Sequence, residues 1–402
     1  MNVSQAMSKQ GPNAPYHPIV DHLLVNSRGH FAACAANIRT IYLQDPRKRG
    51  HVRYNTFDHY VVVGTQRLDD QGEMRESLWL ADTYGLSVKP REVGEVLKYI
   101  GTQDPFHPVQ DYLRSLVWDG TPRLDKLFIK YFGAQDEGAI RAYGRKFMIS
   151  SVARNMNPGA KADAMVILFS QEQGRGKSRG AAALAPFGFS DAPLQVGDRE
   201  AVLALHGCWI YEVAELDSFR GRAAQKVKAF LSTSVDRYRG LYARHYTQSP
   251  RSCVFIGTTN EERFLRDSTG NRRFWPVRVG WVEVDELIKD RDQLWAEAYV
   301  YWSRGEEWWL SPEDEAKLLG DQEMHKEVDP WASPVVSFME QRIAMNERPP
   351  RMHEILTQAL GVELGRQDKR CMLRVSDILT ENGYYSKQVR RGRKKFKAWV
   401  RR

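Results

Sequence analysis

Residues 166–178 read Val-Ile-Leu-Phe-Ser-Gln-Glu-Gln-Gly-Arg-Gly-Lys-Ser, an apolar run that ends in a glycine-flanked Lys-Ser. Gln173, Gly174, Arg175, Gly176, Lys177 and Ser178 match the end of a phosphate-binding P-loop. Two glycines let successive backbone N–H groups turn toward phosphate oxygens. The Ala-rich stretch from Arg179 to Ala185 reads as the helix whose positive N-terminus faces the anion. Lys177 is placed to reach the β- and γ-phosphates of ATP, and the Ser178 hydroxyl to hold Mg²⁺. The full pattern has Gly six residues before the Lys; here that position is Gln171.

Hydrolysis needs more than a phosphate cradle. Cys208-Trp-Ile-Tyr-Glu212-Val-Ala-Glu215 reads as a buried strand with a carboxylate at its C-terminal edge, where ligands collect in open α/β sheets. Glu212 is the candidate beside the metal, and Glu215 competes with it as general base. An adjacent Asp-Glu pair is absent, because Val213 follows Glu212. A third strand, Cys253 to Thr258, runs into Thr259-Asn260, and Asn260 suits a residue that senses the γ-phosphate and positions water. Gly270-Asn271-Arg272-Arg273 forms a turn able to hold a guanidinium against a transferring phosphoryl group, which in ring ATPases is often supplied by a neighbouring subunit. Which of Arg272 and Arg273 acts is open at this stage.

Two basic segments point to nucleic acid. Arg237, Arg239, Arg244, His245 and Arg251 lie among Tyr238, Tyr242 and Tyr246, a mixture that neutralises phosphates and stacks on bases. Their position suits a hairpin in a ring's channel, a subunit interface, or a contact to nucleotide. Residues 386–402 carry nine Lys/Arg and no acid, which equals the whole net charge of +9. Arg390, Arg391, Arg393, Lys394 and Lys395 interleave there with aromatics.

The elements that must position these residues follow from pattern. Strands are expected at 164–170, 208–213 and 252–258, with helices between them, as in a parallel nucleotide-binding sheet. Residues 19–102 read as a small α/β unit: a broadly helical stretch over 23–43, strands at 52–57, 60–63 and 77–80, and a helix over 88–99. Helices are expected over 109–118, 138–154 and 293–304. The last unit reads helix (351–360), helix (371–382), then basic strands over 384–400, a winged-helix pattern. The division is 1–18 as a tail, 19–104, a helical region at 105–160, the core at 161–310, a helical connector at 311–347 and the basic unit at 348–402.

Composition fits this reading. Apolar residues make up 42% of the 402 and charged residues 27%, enough for real cores. No apolar run nears the ~18 residues of a membrane span. The polar Met1–Pro15 stretch lacks a signal-peptide core, so a cytoplasmic protein is expected. The four cysteines are scattered, which argues against zinc sites and a disulfide framework.

In combination and order, these stretches resemble the virulence-associated protein E family. Its members are proteins of phages and mobile elements related to superfamily 3 helicases within the AAA+ class. The matching segments include 106–123, 173–178, 209–217, 227–231, 236–239, 258–260 and 265–274. The resemblance implies an α/β AAA+ P-loop ATPase core with a parallel sheet, using ATP and Mg²⁺. It implies a homo-oligomeric ring, most simply a hexamer, acting as a DNA helicase in replication, with a primase or other replication protein as a further partner. It supports Lys177 and Ser178 on phosphate and Mg²⁺, Glu212 in the acidic motif, Asn260 as sensor and Arg272/Arg273 as trans fingers. The competing expectation is a nucleic-acid-binding regulatory or defence ATPase that switches without unwinding.

Overall fold

The computed structural model describes residues 17–193, 199–214, 222–239, 245–262, 271–324, 329–391 and 394–401. The chain opens with α1 (His17–Val20) and α2 (Ala35–Gln44), then the strands β1 (Val52–Asn55), β2 (Tyr60–Val63) and β3 (Gln66–Arg67). Helices α3 (Asp70–Tyr84) and α4 (Pro90–Gly101) and strand β4 (Pro105–Phe106) follow. The four strands form one sheet in the order β3-β2-β1-β4, antiparallel except for the β1–β4 pair. Val52 and Val61 of its inner face pack with Ile38, Ile41, Leu80, Val93 and Leu97 of the helices.

Two expectations for this unit are corrected. The stretch 77–80 is not a strand but lies inside α3. The Asp69 side chain caps that helix by accepting from the Gly72 N–H at 2.8 Å, and Ser77, Leu80 and Tyr84 are buried at helical spacing. The 23–43 stretch is not one helix. The Asn26 side chain accepts from the Arg28 and His30 N–H groups and closes a turn, so Val25 bridges Phe31 and the helix starts only at Ala35.

Helix α5 (Pro108–Ser115), a short π-helical turn (Leu127–Tyr131) and α6 (Ile140–Met156) come next. The second sheet is built from β5 (Met165–Phe169), β6 (Phe189–Ser190) and β7 (Ile210–Val213), with α7 (Lys177–Leu184) and α8 (Arg199–Leu203) between them. After α9 (Arg222–Ser232), a hairpin of β8 (Val235–Tyr238) and β9 (Thr247–Pro250) precedes β10 (Val254–Thr259), β11 (Phe274–Arg278) and α10 (Val284–Ser303). The sheet order is β11-β5-β10-β7-β6 with every pair parallel.

The crossover after β5 runs one way across the sheet, and those after β6 and β7 run the other. Right-handed connections therefore place α7 on one face and α8 and α9 on the opposite face. Burial shows the same division. Val166 and Leu168 of β5 pack with Ala181 and Leu184 of α7 and with α6 and α10, whereas Met165, Ile167 and Phe169 pack with Ala201 of α8 and Val227 and Leu231 of α9. Strands buried on both faces explain why 165–169 read as an unbroken apolar run. Val109, Leu113 and Leu127 share the α7-side core, so the 105–160 stretch is built into the face of the sheet.

The chain ends with α11 (Pro312–Met324), α12 (Ala332–Ala344), α13 (Met352–Gln358), α14 (Lys369–Glu381) and an antiparallel hairpin of β12 (Tyr384–Arg391) and β13 (Lys394–Arg401). Val335, Met339, Ile355, Val375, Leu379, Tyr384 and Trp399 form a separate core there. Among the described residues no helix is long and apolar enough to cross a membrane. All four cysteines are free thiols, with Cys208 and Cys253 buried and Cys34 and Cys371 only partly so.

Candidate active site

Every strand of the second sheet ends, at its C-terminus, on one edge. The loop after β5 carries Gly174 at φ +77° and Gly176 at φ +89°, left-handed conformations that favour glycine. Gly176 is the N-cap of α7, so the first N–H groups of that helix have no intrahelical acceptor and face the loop's hollow. Gln171, by contrast, is not among the non-glycine residues with positive φ, and its exposed side chain donates to Glu262 at 2.8 Å. The backbone at 171 thus adopts a conformation that any residue can take, and a glycine there is dispensable.

An open cavity of about 440 Å³ sits at this edge, lined by Gln173 to Arg179, Ala214 and Thr258 to Asn260. Lys177 Nζ donates to Asn260 Oδ1 at 2.8 Å, so the P-loop lysine and the sensor candidate meet directly. Partial burial lowers the Lys177 pKa, and the Glu212 carboxylate opposes that shift. Ser178 Oγ donates to Glu212 Oε1 at 2.6 Å, and Thr258 Oγ1 donates to the same oxygen at 2.6 Å. Glu212 is 2% exposed, and its other oxygen, Oε2, is buried with no hydrogen-bond partner.

A buried carboxylate oxygen left unpaired beside a serine hydroxyl fits a site for a hydrated divalent cation, because an orphan acceptor costs stability until a charge or donor reaches it. The residues present therefore fit Mg²⁺, which Ser178 and Glu212 would hold. The glycine-turned N–H groups and Lys177 fit the anionic phosphates. Thr258 is a site residue that the sequence did not single out. Only the parallel pairing of Ile256 with Glu212 puts it on the same face as that carboxylate.

The arginine turn lies at the other edge. Phe274 pairs with Met165 at the start of β5 and Arg278 with Phe169 at its end, so Asn271–Arg273 precedes the N-terminal edge of the sheet. Arg273 Nε donates to Ser232 Oγ at 2.7 Å and lies 3.4 Å from Asp163 Oδ2, while Arg272 is exposed. Four strand steps of ~3.3 Å separate this turn from its own P-loop edge by roughly 13 Å.

Of the nucleic-acid candidates, Arg237, Arg239 and His245 are exposed on or beside the β8–β9 hairpin, and the Arg237 guanidinium lies 4.8 Å from the Tyr246 ring centre. Arg251 is corrected: it is 3% exposed and structural. Its guanidinium pairs with Asp236 through two bonds of 2.5 and 2.8 Å, donates to the Phe230 carbonyl and lies over the Phe230 ring. Arg390 and Lys395 are both exposed and face each other across the β12–β13 hairpin. Arg391 and Lys394 pair in the same ladder. Glu215, Arg244 and Arg393 lie outside the described residues.

A family model described as the virulence-associated protein E-like domain matches residues 113–327, more than half of the chain. The chain belongs to this family. Membership makes it a P-loop ATPase of the kind related to superfamily 3 helicases, a family that uses ATP and Mg²⁺ in general. The match runs from α5 through α11 and so takes in both edges of the parallel sheet. No curated protein matches the chain. Among solved structures, one titled as the apo structure of the NrS-1 C-terminal region is 12% identical, covering 87% of this chain and 95% of that one, with a TM-score of 0.46. A second, titled as the A form of the same region, is 15% identical over 72% of this chain and 78% of that one, with a TM-score of 0.41.

Proposed function

We propose that the protein is an AAA+ ATPase that assembles as a ring, most simply a hexamer, and translocates on DNA as a replication helicase of a phage or mobile element. The observation that carries this is the separation of two functional sets along the same strands. Lys177, Ser178, Glu212 and Asn260 meet at one edge, while the Arg272-Arg273 turn sits beyond the other. A turn that is remote from its own P-loop completes a site only on a neighbouring copy. Arg272 is then the trans finger, because Arg273 is held within its own subunit by Ser232 and Asp163.

In this reading the glycine loop and Lys177 bind and orient the phosphates, and Asn260 releases Lys177 to them and positions the attacking water. Glu212 is the acidic residue beside that water. Bound Mg²⁺ would neutralise phosphate charge. The β8–β9 hairpin offers Arg237, Arg239 and His245 to a strand. The α13–α14–hairpin unit reads as winged-helix-like, with the Arg390–Lys395 pairing as its contact. Two exposed cations side by side on the hairpin suit contact with a phosphate backbone.

Lys177→Ala is expected to abolish both ATP hydrolysis and forked-DNA unwinding; wild-type turnover in this variant would sink the reading. The basic C-terminal hairpin also favours a second reading, an ATPase switch that binds nucleic acid without unwinding it. Hydrolysis and nucleotide-dependent binding with no strand displacement would select that one.

A further inference from the structure

We infer that Thr258 is the positioning residue that aims Glu212, a role that rests on the ATPase reading and extends it to the central strand. Both hydroxyls that reach Glu212 end on the same oxygen, Oε1, at 2.6 Å from Ser178 and 2.6 Å from Thr258. A carboxylate oxygen has two lone pairs, so Oε1 is filled and all remaining acceptor capacity sits on the orphan Oε2. The orientation of the carboxylate is therefore decided by where the two hydroxyls stand, both on residues that line the cavity.

The two hydroxyls are not equivalent. Ser178 belongs to the first turn of α7 and lines the open cavity. Thr258 is 5% exposed on β10, which pairs on both sides, with Thr258 opposite Leu168 of β5 and Gly257 opposite Val213 of β7. The ladder makes Thr258 the fixed reference of the two. Without the Thr258 hydroxyl the carboxylate can rotate about its terminal bond, and its orientation beside Ser178 is no longer fixed.

The test compares Thr258→Val, which keeps the shape and removes the hydroxyl, with Thr258→Ser, which keeps the donor. Outer-shell partners of this kind are worth about 10–100-fold in metal affinity or activity. Thr258→Val is expected to lower kcat about 10–100-fold with KM for ATP within about two-fold, and Thr258→Ser to restore most of the loss. A second readout is ADP binding by calorimetry with and without Mg²⁺. Thr258→Val should lose about ten-fold or more of the Mg²⁺-dependent gain and keep the Mg²⁺-free affinity. If Thr258→Val does not fold, Thr258→Ala takes its place in both measurements. An undiminished Mg²⁺ gain, or equal losses in the Val and Ser variants, overturns the inference. If Lys177→Ala stays active the ATPase reading itself falls; if only Thr258→Val is silent, the reading stands and this role does not.

Discussion

The two edges of the parallel sheet are both rich in polar side chains, yet they are built on opposite terms. At the C-terminal edge hydrogen-bonding capacity is left over: Glu212 Oε2 is buried without a partner, and among the described residues Lys177 donates to a neutral amide. At the N-terminal edge arginines are saturated. Arg154 is fully buried and donates to the carbonyls of Ala160, Thr233 and Cys253. Arg251 is closed by Asp236 and Phe230, and Arg273 by Ser232 and Asp163. Unfilled capacity marks a ligand site, and residue type alone does not. Arg272, beside these three, is exposed.

Arg272→Ala is expected to lower kcat about 10³-fold, as loss of a trans arginine does. When Arg272→Ala subunits are mixed with Lys177→Ala subunits, oligomers should regain part of the turnover. No recovery in the mixture would return the finger to its own subunit and erase the functional difference between the edges.

Arg251→Met tests the saturated edge by stability. It strands Asp236 as a buried unpaired charge, so it is expected to cost about 3–5 kcal/mol with a lower Tm. Nucleic-acid affinity of the protein that remains folded should not change. A stable variant with weakened binding would restore Arg251 to the contact surface.

The C-terminal hairpin gives a smaller, graded effect. Arg390→Gln with Lys395→Gln should weaken single-strand binding for all sequences and flatten the plot of log affinity against log salt by about 1.4. A loss confined to one sequence, with the slope intact, would mean that the hairpin reads bases.

The smallest effect concerns pH. His206, whose ring lies 4.3 Å from that of His59, and His107 are both held neutral by burial, with pKa values lowered from 6.5 to about 4. Between those values the unfolded chain binds protons that the folded one excludes. Stability from these rings is therefore complete above about 6.5 and is lost as pH falls toward about 4. Denaturant midpoints across that window check the sign, and His206→Gln should flatten the curve.

Much of this was legible in the residues. The strands at 165–169 and 254–259, the P-loop turn and the two-helix-plus-hairpin end follow from apolar runs, glycine spacing and alternation, all local signals. The misreadings have physical causes. Four residues of 77–80 were too few to separate a strand from a helix turn whose Asp69 cap lies eight residues upstream. Arg251 sits in a basic, tyrosine-rich stretch, and nothing in that stretch tells a phosphate-bound guanidinium from one folded back onto Asp236.

By itself the sequence determined what neighbours in the chain decide: a strand that must be buried on both faces, a glycine turn whose left-handed backbone opens toward an anion, and the family to which they belong. The tertiary structure decided what depends on residues far apart. Glu212 meets Thr258 across 46 positions and Lys177 meets Asn260 across 83. Those pairings come from strand order and crossover hand, which no local pattern encodes. They leave one oxygen of Glu212 unpaired beside the P-loop and set the arginine turn at the far edge.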